Sequence, residues 1–308
     1  MTTFLFPGQG AQTPGFLHDL PRDPAVTATL EEASRVLERD VLGLDSIEEL
    51  ASTVAVQLTA LVAGVAITRA LAAHDVRPDA VAGLSVGSFT AAVAAEAIGF
   101  SDALRLVKLR ATLMEQAYPS GYGMAAFGGL PQRRLGELVA AAQRDDEPLY
   151  LANFNAPTEI VVTGAVAALD RLVDAAKEAG ARQAQRLAVS VPSHCPLLAD
   201  VSTHLAAAIA EIEIRVPNVI YVGNRRARVM RDAASVAEEL ATNVCNPVLW
   251  YDSTNLLYEL GERFFIEAPP GATLTGLISD AFPNVTARIA AQTPLETLVY
   301  LAKRTLRS

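Results

Sequence analysis

The chain has 308 residues, 51% of them hydrophobic, which allows one large domain, or a large and a small one, around a sizeable core. Its net charge is −9 and its pI is near 5.0, which argues against a nucleic-acid partner because no basic stripe is available to neutralise phosphates. The two cysteines, Cys195 and Cys245, are too few for a disulfide framework and fit a reducing compartment. We interpret both as small apolar core residues rather than nucleophiles.

Other sequence signals bear on location and metal binding. No Cys-x-x-Cys or His-x-x-x-His spacing occurs, so the sequence predicts no metal site. The N-terminus lacks the basic and apolar regions of a signal peptide. The apolar run at 58–67 is too short to span a membrane. These patterns together predict a cytoplasmic protein that contacts neither membrane nor nucleic acid.

The first part of the chain reads as alternating strands and helices. A short apolar strand ends at the segment Pro7-Gly8-Gln9-Gly10, and Ser101 is the expected N-cap of a later helix. In chain order the predicted elements are a strand at 4–6, a helix at 54–73, a strand at 80–82 and a helix at 101–117.

The middle of the chain has the order βαββαβ, which is typical of a ferredoxin-like fold. We therefore predict a small ferredoxin-like domain at 122–189, inserted into a large α/β-hydrolase-like domain formed by 1–121 and 190–308. The large domain should contain further strands at 219–222 and 264–267. The predicted elements of the insertion are strands at 124–127, 149–154, 160–163 and 184–190, and helices at 132–143 and 166–179.

The segment Gly83-Leu84-Ser85-Val86-Gly87 has the form G-x-S-x-G and lies between a predicted strand and a predicted helix. In that context the pattern is typical of a nucleophile elbow, which presents the serine hydroxyl at the edge of a sheet. The helix N-terminus supplies free N–H groups, with that of Val86 first, to stabilise an oxyanion. The motif alone is equally compatible with a simple turn before a helix.

A serine nucleophile needs a base within hydrogen-bonding reach, and the chain has four histidines: His18, His74, His194 and His204. Only His194 lies between turn-forming residues and the start of a helix, so we expect it to be the base. His204 falls in mid-helix and is expected at the surface. Because Ser85 precedes the insertion and His194 follows it, the site should lie in the cleft between the two domains.

These segments together resemble the malonyl-CoA:acyl-carrier-protein transacylases over essentially the whole chain. The resemblance is carried by six segments: Phe6–Gly10, Gly83–Gly87, Leu109-Arg110, Asn153–Asn155, Ser190–Cys195 and Pro270–Leu277.

The resemblance implies that Ser85 is the acylated nucleophile and His194 its base. It makes Arg110 the group that binds the malonyl carboxylate, and it makes Gln9, with Val86, the oxyanion hole. Spacing alone does not distinguish Arg110 from Arg105 or Lys108 on the same helix, and Gln9 is equally compatible with an ordinary loop position.

In this family a main-chain carbonyl orients the histidine, from a glutamine-bearing segment before an Asn-Pro pair. Asn243 stands in the place of that glutamine here, so its carbonyl is the expected partner of His194. Asn153 and Asn155 are candidates to line the cleft from the small domain, although asparagine is also common in turns.

Two positions depart from the common family elbow, G-H-S-x-G-E: Leu84 replaces the histidine and Ser88 the glutamate. With the segment Glu267–Gly271, this elbow looks most like the transacylase (epsilon) subunit of biotin-independent malonate decarboxylase. The resemblance then implies transfer of malonyl from malonyl-CoA, through an acyl-serine, to the phosphopantetheine-type thiol arm of the decarboxylase carrier protein. Other decarboxylase subunits would be further partners, and no cofactor would be permanently bound.

Three alternatives stay open at this stage. The nearest is a malonyl-CoA:acyl-carrier-protein transacylase of fatty acid or polyketide synthesis. An α/β-hydrolase esterase would place an acid and then a late histidine after the serine, and no histidine follows His204. A non-catalytic scaffold subunit would need none of Ser85, His194 and Arg110.

Overall fold

The computed structural model describes residues 1–305 and contains a mixed α/β fold with two sheets. The strands are β1 Thr2–Phe6, β2 Ala80–Gly83, β3 Tyr122–Gly128, β4 Leu149–Ala156, β5 Glu159–Ala165, β6 Gln183–Arg186, β7 Ile220–Val222, β8 Phe264–Glu267 and β9 Thr286–Ile289. The helices are α1 Pro24–Leu37, α2 Thr53–Ala73, α3 Gly87–Ala94, α4 Phe100–Ala117, α5 Gln132–Ala142, α6 Val166–Glu178, α7 Ala199–Ile209, α8 Ala233–Thr242, α9 Trp250–Glu259, α10 Thr273–Ala281 and α11 Leu295–Thr305.

The larger sheet has the strand order β7-β2-β1-β8-β9, and all of its neighbouring strands are parallel. Every residue of β1, β2 and β8 is buried, as expected for parallel strands that are covered on both faces. Phe4 of β1 lies opposite Val81 of β2 and Ile266 of β8. The carboxyl ends of these strands therefore share one edge, where β2 leads into the elbow.

The smaller sheet is antiparallel and has the order β4-β5-β3-β6, which is the ferredoxin-like arrangement. Helices α5 and α6 pack against it through a separate apolar cluster that includes Phe127, Leu135 and Leu172. The two sheets confirm the predicted fold class. All four strands of this sheet fall within the predicted insertion at 122–189, whose boundaries as a domain remain a prediction.

Helix α2 runs through the core of the large α/β unit, and 83% of its most apolar 18-residue window is buried. By length and composition alone this helix is long enough to cross a membrane. The sequence prediction used only the apolar run at 58–67 and therefore underestimated the apolar length of the helix. Its burial is that of a core helix, and Ser52 caps it by accepting the Val54 N–H at 3.1 Å.

Two predicted boundaries were wrong. Helix α4 begins at Phe100 after Gly99, so Ser101 is not its N-cap; the Ser101 hydroxyl instead approaches Glu32 of α1 at 3.5 Å. Strand β6 ends at Arg186 rather than at 190. Leu187 still donates its N–H to the Met124 carbonyl, and the chain leaves the sheet after it. That departure carries the chain toward His194.

Candidate active site

The elbow around Ser85 depends on the two glycines that flank it. Strand β2 ends at Gly83 and helix α3 begins at Gly87, which leaves a very tight turn. A Cβ on Gly83 would collide with the Gly87 carbonyl, and a Cβ on Gly87 would collide with the Phe6 carbonyl. Ser85 itself has φ of 58°, a left-handed conformation that costs a non-glycine residue about 1–3 kcal/mol. The surrounding contacts must therefore hold it there.

The structure brings Ser85 and His194 together from positions 109 residues apart. The Ser85 Oγ lies 2.8 Å from His194 Nε2, and His194 Nδ1 lies 2.7 Å from the carbonyl oxygen of Asn243. Because a carbonyl only accepts, Nδ1 carries the proton and Nε2 presents its lone pair to the serine hydroxyl. This is the tautomer that a general base for Ser85 requires.

The electrostatic surroundings keep His194 neutral. Burial, with the positive charge of Arg110 as the second cause, lowers the pKa of the His194 imidazole to about 4, although hydrogen bonds to the backbone of Asn243 and Asn246 act in the opposite direction. A neutral imidazole at physiological pH is available to accept the serine proton.

Arg110 is the third group at this point. Its side chain is 1% exposed, and its Nη2 lies 3.2 Å from the Ser85 Oγ. Nη1 donates to Gln57 Oε1, while Nε has no partner and no carboxylate pairs with the guanidinium within residues 1–305. Burial lowers the pKa of Arg110 to about 9, so the group is still charged at neutral pH. A buried cation without an anion is costly, which suits the site to a carboxylate ligand.

The other two cations of α4 do not reach the site. The Arg105 side chain is 68% exposed and pairs with Asp102 at 3.0 Å, and Lys108 is exposed. Gln57 was missed by sequence reasoning, although a polar side chain in the middle of an apolar helix was a signal available in the sequence.

The expected oxyanion hole consists of the Val86 N–H and Gln9. The N–H of Val86 makes no hydrogen bond in the part of the chain that the structure describes, so it is free to bind an oxyanion. Gly8 packs so closely against the elbow that a Cβ there would lie 3.1 Å from the Leu84 carbonyl oxygen. Gln9 follows directly, half-buried and without a hydrogen bond among the described residues. Its role in the oxyanion hole remains a prediction.

Asn243 makes two contacts in the site, one through its carbonyl and one through its side chain. Its side-chain Nδ2 lies 3.3 Å from the Ser85 carbonyl oxygen, so the shorter side chain still reaches the main chain of Ser85. The same residue therefore contacts both the proposed base and the proposed nucleophile.

Asn153 and Asn155 have a weaker connection to the site. Asn153 is buried at an irregular point of β4, where it bridges to Val248, and its Oδ1 has no partner among residues 1–305. The Asn155 side chain donates to Glu159 at 3.3 Å within the same sheet, and neither asparagine bonds to Ser85. A lining role for them is still only a prediction.

The remaining histidines and the thiols do not enter the site. His204 is exposed, as expected, and its Nδ1 lies 2.8 Å from the Asp200 carbonyl. His18 and His74 have side chains that are 57% and 48% exposed. Burial raises the pKa of the Cys195 thiol to about 12, which makes it a poor nucleophile. No cluster of three metal-binding side chains occurs among the described residues.

The reacting groups lie in a confined place. Ser85 is 8% exposed and His194 is 2% exposed. A cleft of about 1300 Å³ opens beside Gly10 and Ala11 and is not lined by Ser85, His194 or Arg110. Burial thus limits the access of water to Ser85 and His194.

A family model described as the acyl transferase domain matches residues 3–307 of this chain. The chain belongs to the acyl transferase domain family. The curated malonyl CoA-acyl carrier protein transacylase of an Escherichia coli strain is 37% identical over 290 residues, which covers 92% of this chain and 94% of that protein. The enzyme of the same name from Haemophilus influenzae is 36% identical, with 89% of each chain covered.

Solved structures of malonyltransferases have the same fold as this chain. The acyl-carrier-protein S-malonyltransferase of Burkholderia pseudomallei superposes with a TM-score of 0.91 at 34% identity, covering 97% of this chain and 99% of the other. A malonyl-transacylase solved in complex with a type II PKS acyl-carrier protein has a TM-score of 0.90 at 34% identity, covering 96% and 99%.

Proposed function

We propose that this protein transfers a malonyl group from malonyl-CoA to the phosphopantetheine-type thiol of an acyl carrier protein, through a malonyl ester on Ser85. One observation carries the proposal: the Ser85 Oγ contacts both a neutral base, His194 Nε2 at 2.8 Å, and a guanidinium that has no carboxylate partner among residues 1–305, Arg110 Nη2 at 3.2 Å. The names of the transacylase relatives support it.

The first half-reaction forms the acyl-enzyme. Ser85 Oγ attacks the thioester carbonyl while His194 Nε2 takes its proton, and the Asn243 carbonyl stabilises the imidazolium through Nδ1. The oxyanion would bind the Val86 N–H, with Gln9 as its second expected donor; losing one such donor typically costs about 3–4 kcal/mol. Collapse expels the CoA thiolate, which takes the proton from His194. The carrier thiol then repeats these steps in reverse, so the kinetics should be ping-pong.

Arg110 supplies the selectivity for a malonyl group. Its guanidinium already touches the Ser85 Oγ, so an acyl group on that oxygen would place a free carboxylate within the same pocket. Two parallel N–H···O bonds would neutralise a cation that has no anionic partner among the described residues. A neutral acyl group would leave the guanidinium unpaired.

The fatty acid or polyketide alternative fits the relatives better than the predicted malonate decarboxylase. The relatives reported above are malonyl CoA-acyl carrier protein transacylases, and one is solved with a polyketide carrier. The residues behind the decarboxylase prediction have structural contacts: Ser88 donates to the Gly83 carbonyl at 3.1 Å, and Leu84 packs in an apolar cluster. The decarboxylase carrier and its other subunits therefore have no support as partners, and a cytoplasmic location remains a prediction.

The test is transfer in two steps, followed by intact-protein mass spectrometry. Malonyl-CoA should add one malonyl group to the wild type and to the control Ser101→Ala, and none to Ser85→Ala. Adding a phosphopantetheinylated carrier protein should move the label to the carrier. Transfer of the malonyl group to water alone would identify an esterase. Absence of any adduct would favour the non-catalytic scaffold subunit. Preference for a carrier bearing a phosphoribosyl-dephospho-CoA group would restore the decarboxylase assignment.

A further inference from the structure

The loop after β7 places a fully buried asparagine, Asn224, against the back of the elbow. Its Oδ1 accepts the main-chain N–H of Ser85 at 2.8 Å, and its Nδ2 donates to the carbonyl oxygen of Gly83. One side-chain amide therefore bonds to the main chain on both sides of Leu84, where the strand turns into the elbow. No motif in the sequence marks this residue.

Asn224 is itself fixed by helix α8. Its main-chain N–H donates to Glu239 Oε1 at 2.8 Å, and the Arg225 N–H donates to Glu239 Oε2 at 3.3 Å. Glu239 is buried and packs so closely against the preceding loop that a Cβ on Gly223 would lie 2.8 Å from its carboxylate. Two consecutive main-chain donors thus bind one carboxylate, which leaves the asparagine little freedom.

The Ser85 main chain needs such a partner. In its left-handed conformation, with φ of 58°, the residue lies outside the helix that follows, and its buried N–H would be unpaired without Asn224. On the opposite side, the Ser85 carbonyl oxygen accepts the Ser88 N–H at 3.0 Å and lies 3.3 Å from Asn243 Nδ2. With both ends of the residue held, the direction of its Cα–Cβ bond is determined, and the Oγ turns about that bond to meet His194 Nε2.

We propose that Asn224 is a positioning residue for the acylation step, which rests on the proposed function above. It bonds to neither His194 nor Arg110 within residues 1–305, so it acts through the Ser85 main chain alone. Without Asn224, the Ser85 hydroxyl should no longer be aligned with His194, whereas the binding of malonyl-CoA should be unchanged. A displacement of the nucleophile on the order of 1 Å can cost about 100-fold in rate.

The test is single-turnover acylation of Asn224→Ala over a range of malonyl-CoA concentrations. We expect the acylation rate constant at saturation to fall by about 10- to 100-fold, with an apparent Kd within about twofold of wild type. Thr163→Val is the matched control, since it also removes a buried side-chain bond to a main-chain carbonyl, at 3.1 Å, but in the small sheet. It should acylate at the wild-type rate, whereas a purely structural effect would slow both variants.

Asn224→Asp provides a second variant in case the alanine variant does not fold. It keeps the oxygen that accepts the Ser85 N–H and lacks the amide donor to Gly83, so its acylation rate should lie between those of wild type and Asn224→Ala. If the wild type acylates and Asn224→Ala does so within twofold, or if the rate loss appears in Kd instead, the inference is overturned and the proposed function stands. If the wild type does not acylate, the proposed function fails. The inference about Asn224 is then tested separately, by the rate at which a fluorophosphonate labels Ser85. Equal labelling rates in wild type and Asn224→Ala would overturn it.

Discussion

At the scale of single residues, burial determines the chemistry of the pair His194 and Arg110. Both are nearly inaccessible to solvent, and burial lowers the pKa of each, to about 4 and about 9 respectively. In both cases the shift disfavours the charged form. The histidine becomes neutral at physiological pH, whereas the arginine stays cationic because its ordinary pKa is so much higher.

The acid limb of acylation should therefore lie well below the pKa of a free histidine. Burial and the charge of Arg110 lower the pKa of His194 to about 4, so the base is lost only as the pH falls toward that value. We expect the second-order acylation rate constant to be nearly constant from pH 7 to about 5 and to fall with a midpoint near 4. Arg110→Gln should move the midpoint upward, because it removes one of the causes of the shift. A wild-type midpoint near 6.5, in protein shown to be folded by circular dichroism, would contradict this.

The same shift makes a prediction for stability. The folded-state pKa of His194 is below its unfolded value, so between pH 4 and 6.5 the unfolded chain binds more protons than the native one. The free energy of unfolding should thus decrease as the pH falls from 6.5 toward 4, and His194→Gln should weaken that dependence. Urea denaturation at several pH values measures it, and an unchanged slope in the variant would refute it.

Arg110 should determine which acyl group is accepted. Removing it would leave a malonyl carboxylate buried without a partner, which typically costs about 2–5 kcal/mol, whereas an acetyl group pays no such penalty. Arg110→Ala should therefore lower kcat/KM for malonyl-CoA by about 100-fold or more and affect acetyl-CoA far less. Arg110→Lys should recover part of the loss, because an ammonium lacks the planar fork. Arg105→Ala, on the exposed face of the same helix, is the control, and equal losses for both substrates in Arg110→Ala would make that residue structural.

At the scale of elements, the end of β8 is tied to the start of α10. Glu267 accepts the N–H groups of Leu274 at 3.1 Å and Thr275 at 2.7 Å, which satisfies donors that a helix start leaves free. The intervening Gly271 packs against Pro7 and Ala11, on either side of the Gln9 segment. The carboxylate therefore fixes the connection between β8 and α10, which packs against the Gln9 segment through Gly271.

Glu267→Gln should destabilise the fold. The amide keeps only one acceptor oxygen for two N–H donors, and an unsatisfied buried donor costs about 1–3 kcal/mol. We expect the free energy of unfolding in urea to fall by that amount, with acylation at Ser85 retained at saturating malonyl-CoA. Glu296→Gln, on α11, is a control that should leave stability unchanged. A Glu267→Gln variant as stable as wild type would show that the two bonds contribute nothing.

At the scale of the whole molecule, much of the fold was readable from sequence because its signals are local. The G-x-S-x-G turn needs only two glycines to avoid main-chain collisions, so five consecutive residues predicted the elbow. The βαββαβ order of the small sheet follows from hydrophobic periodicity over short segments. Boundaries were less secure: Ser101 looked like a cap, but its hydroxyl is directed to Glu32 of another helix.

Tertiary structure decided the partners around the nucleophile. Three cations on α4 had equal claims in sequence. At 3.6 residues per turn, Arg105 and Lys108 share one face of the helix and Arg110 lies on another, and only the packing of the helix shows which face is buried. Asn224 and Asn243 reach the Ser85 main chain from 139 and 158 residues away. Such contacts leave no pattern in a single sequence. The low pKa of His194 likewise arises from burial, which exists only after the chain has packed. Sequence thus predicted Ser85 and His194 as the candidate nucleophile and base, and the folded structure determined the orientation of the hydroxyl, the tautomer of His194 and which cation lies beside them.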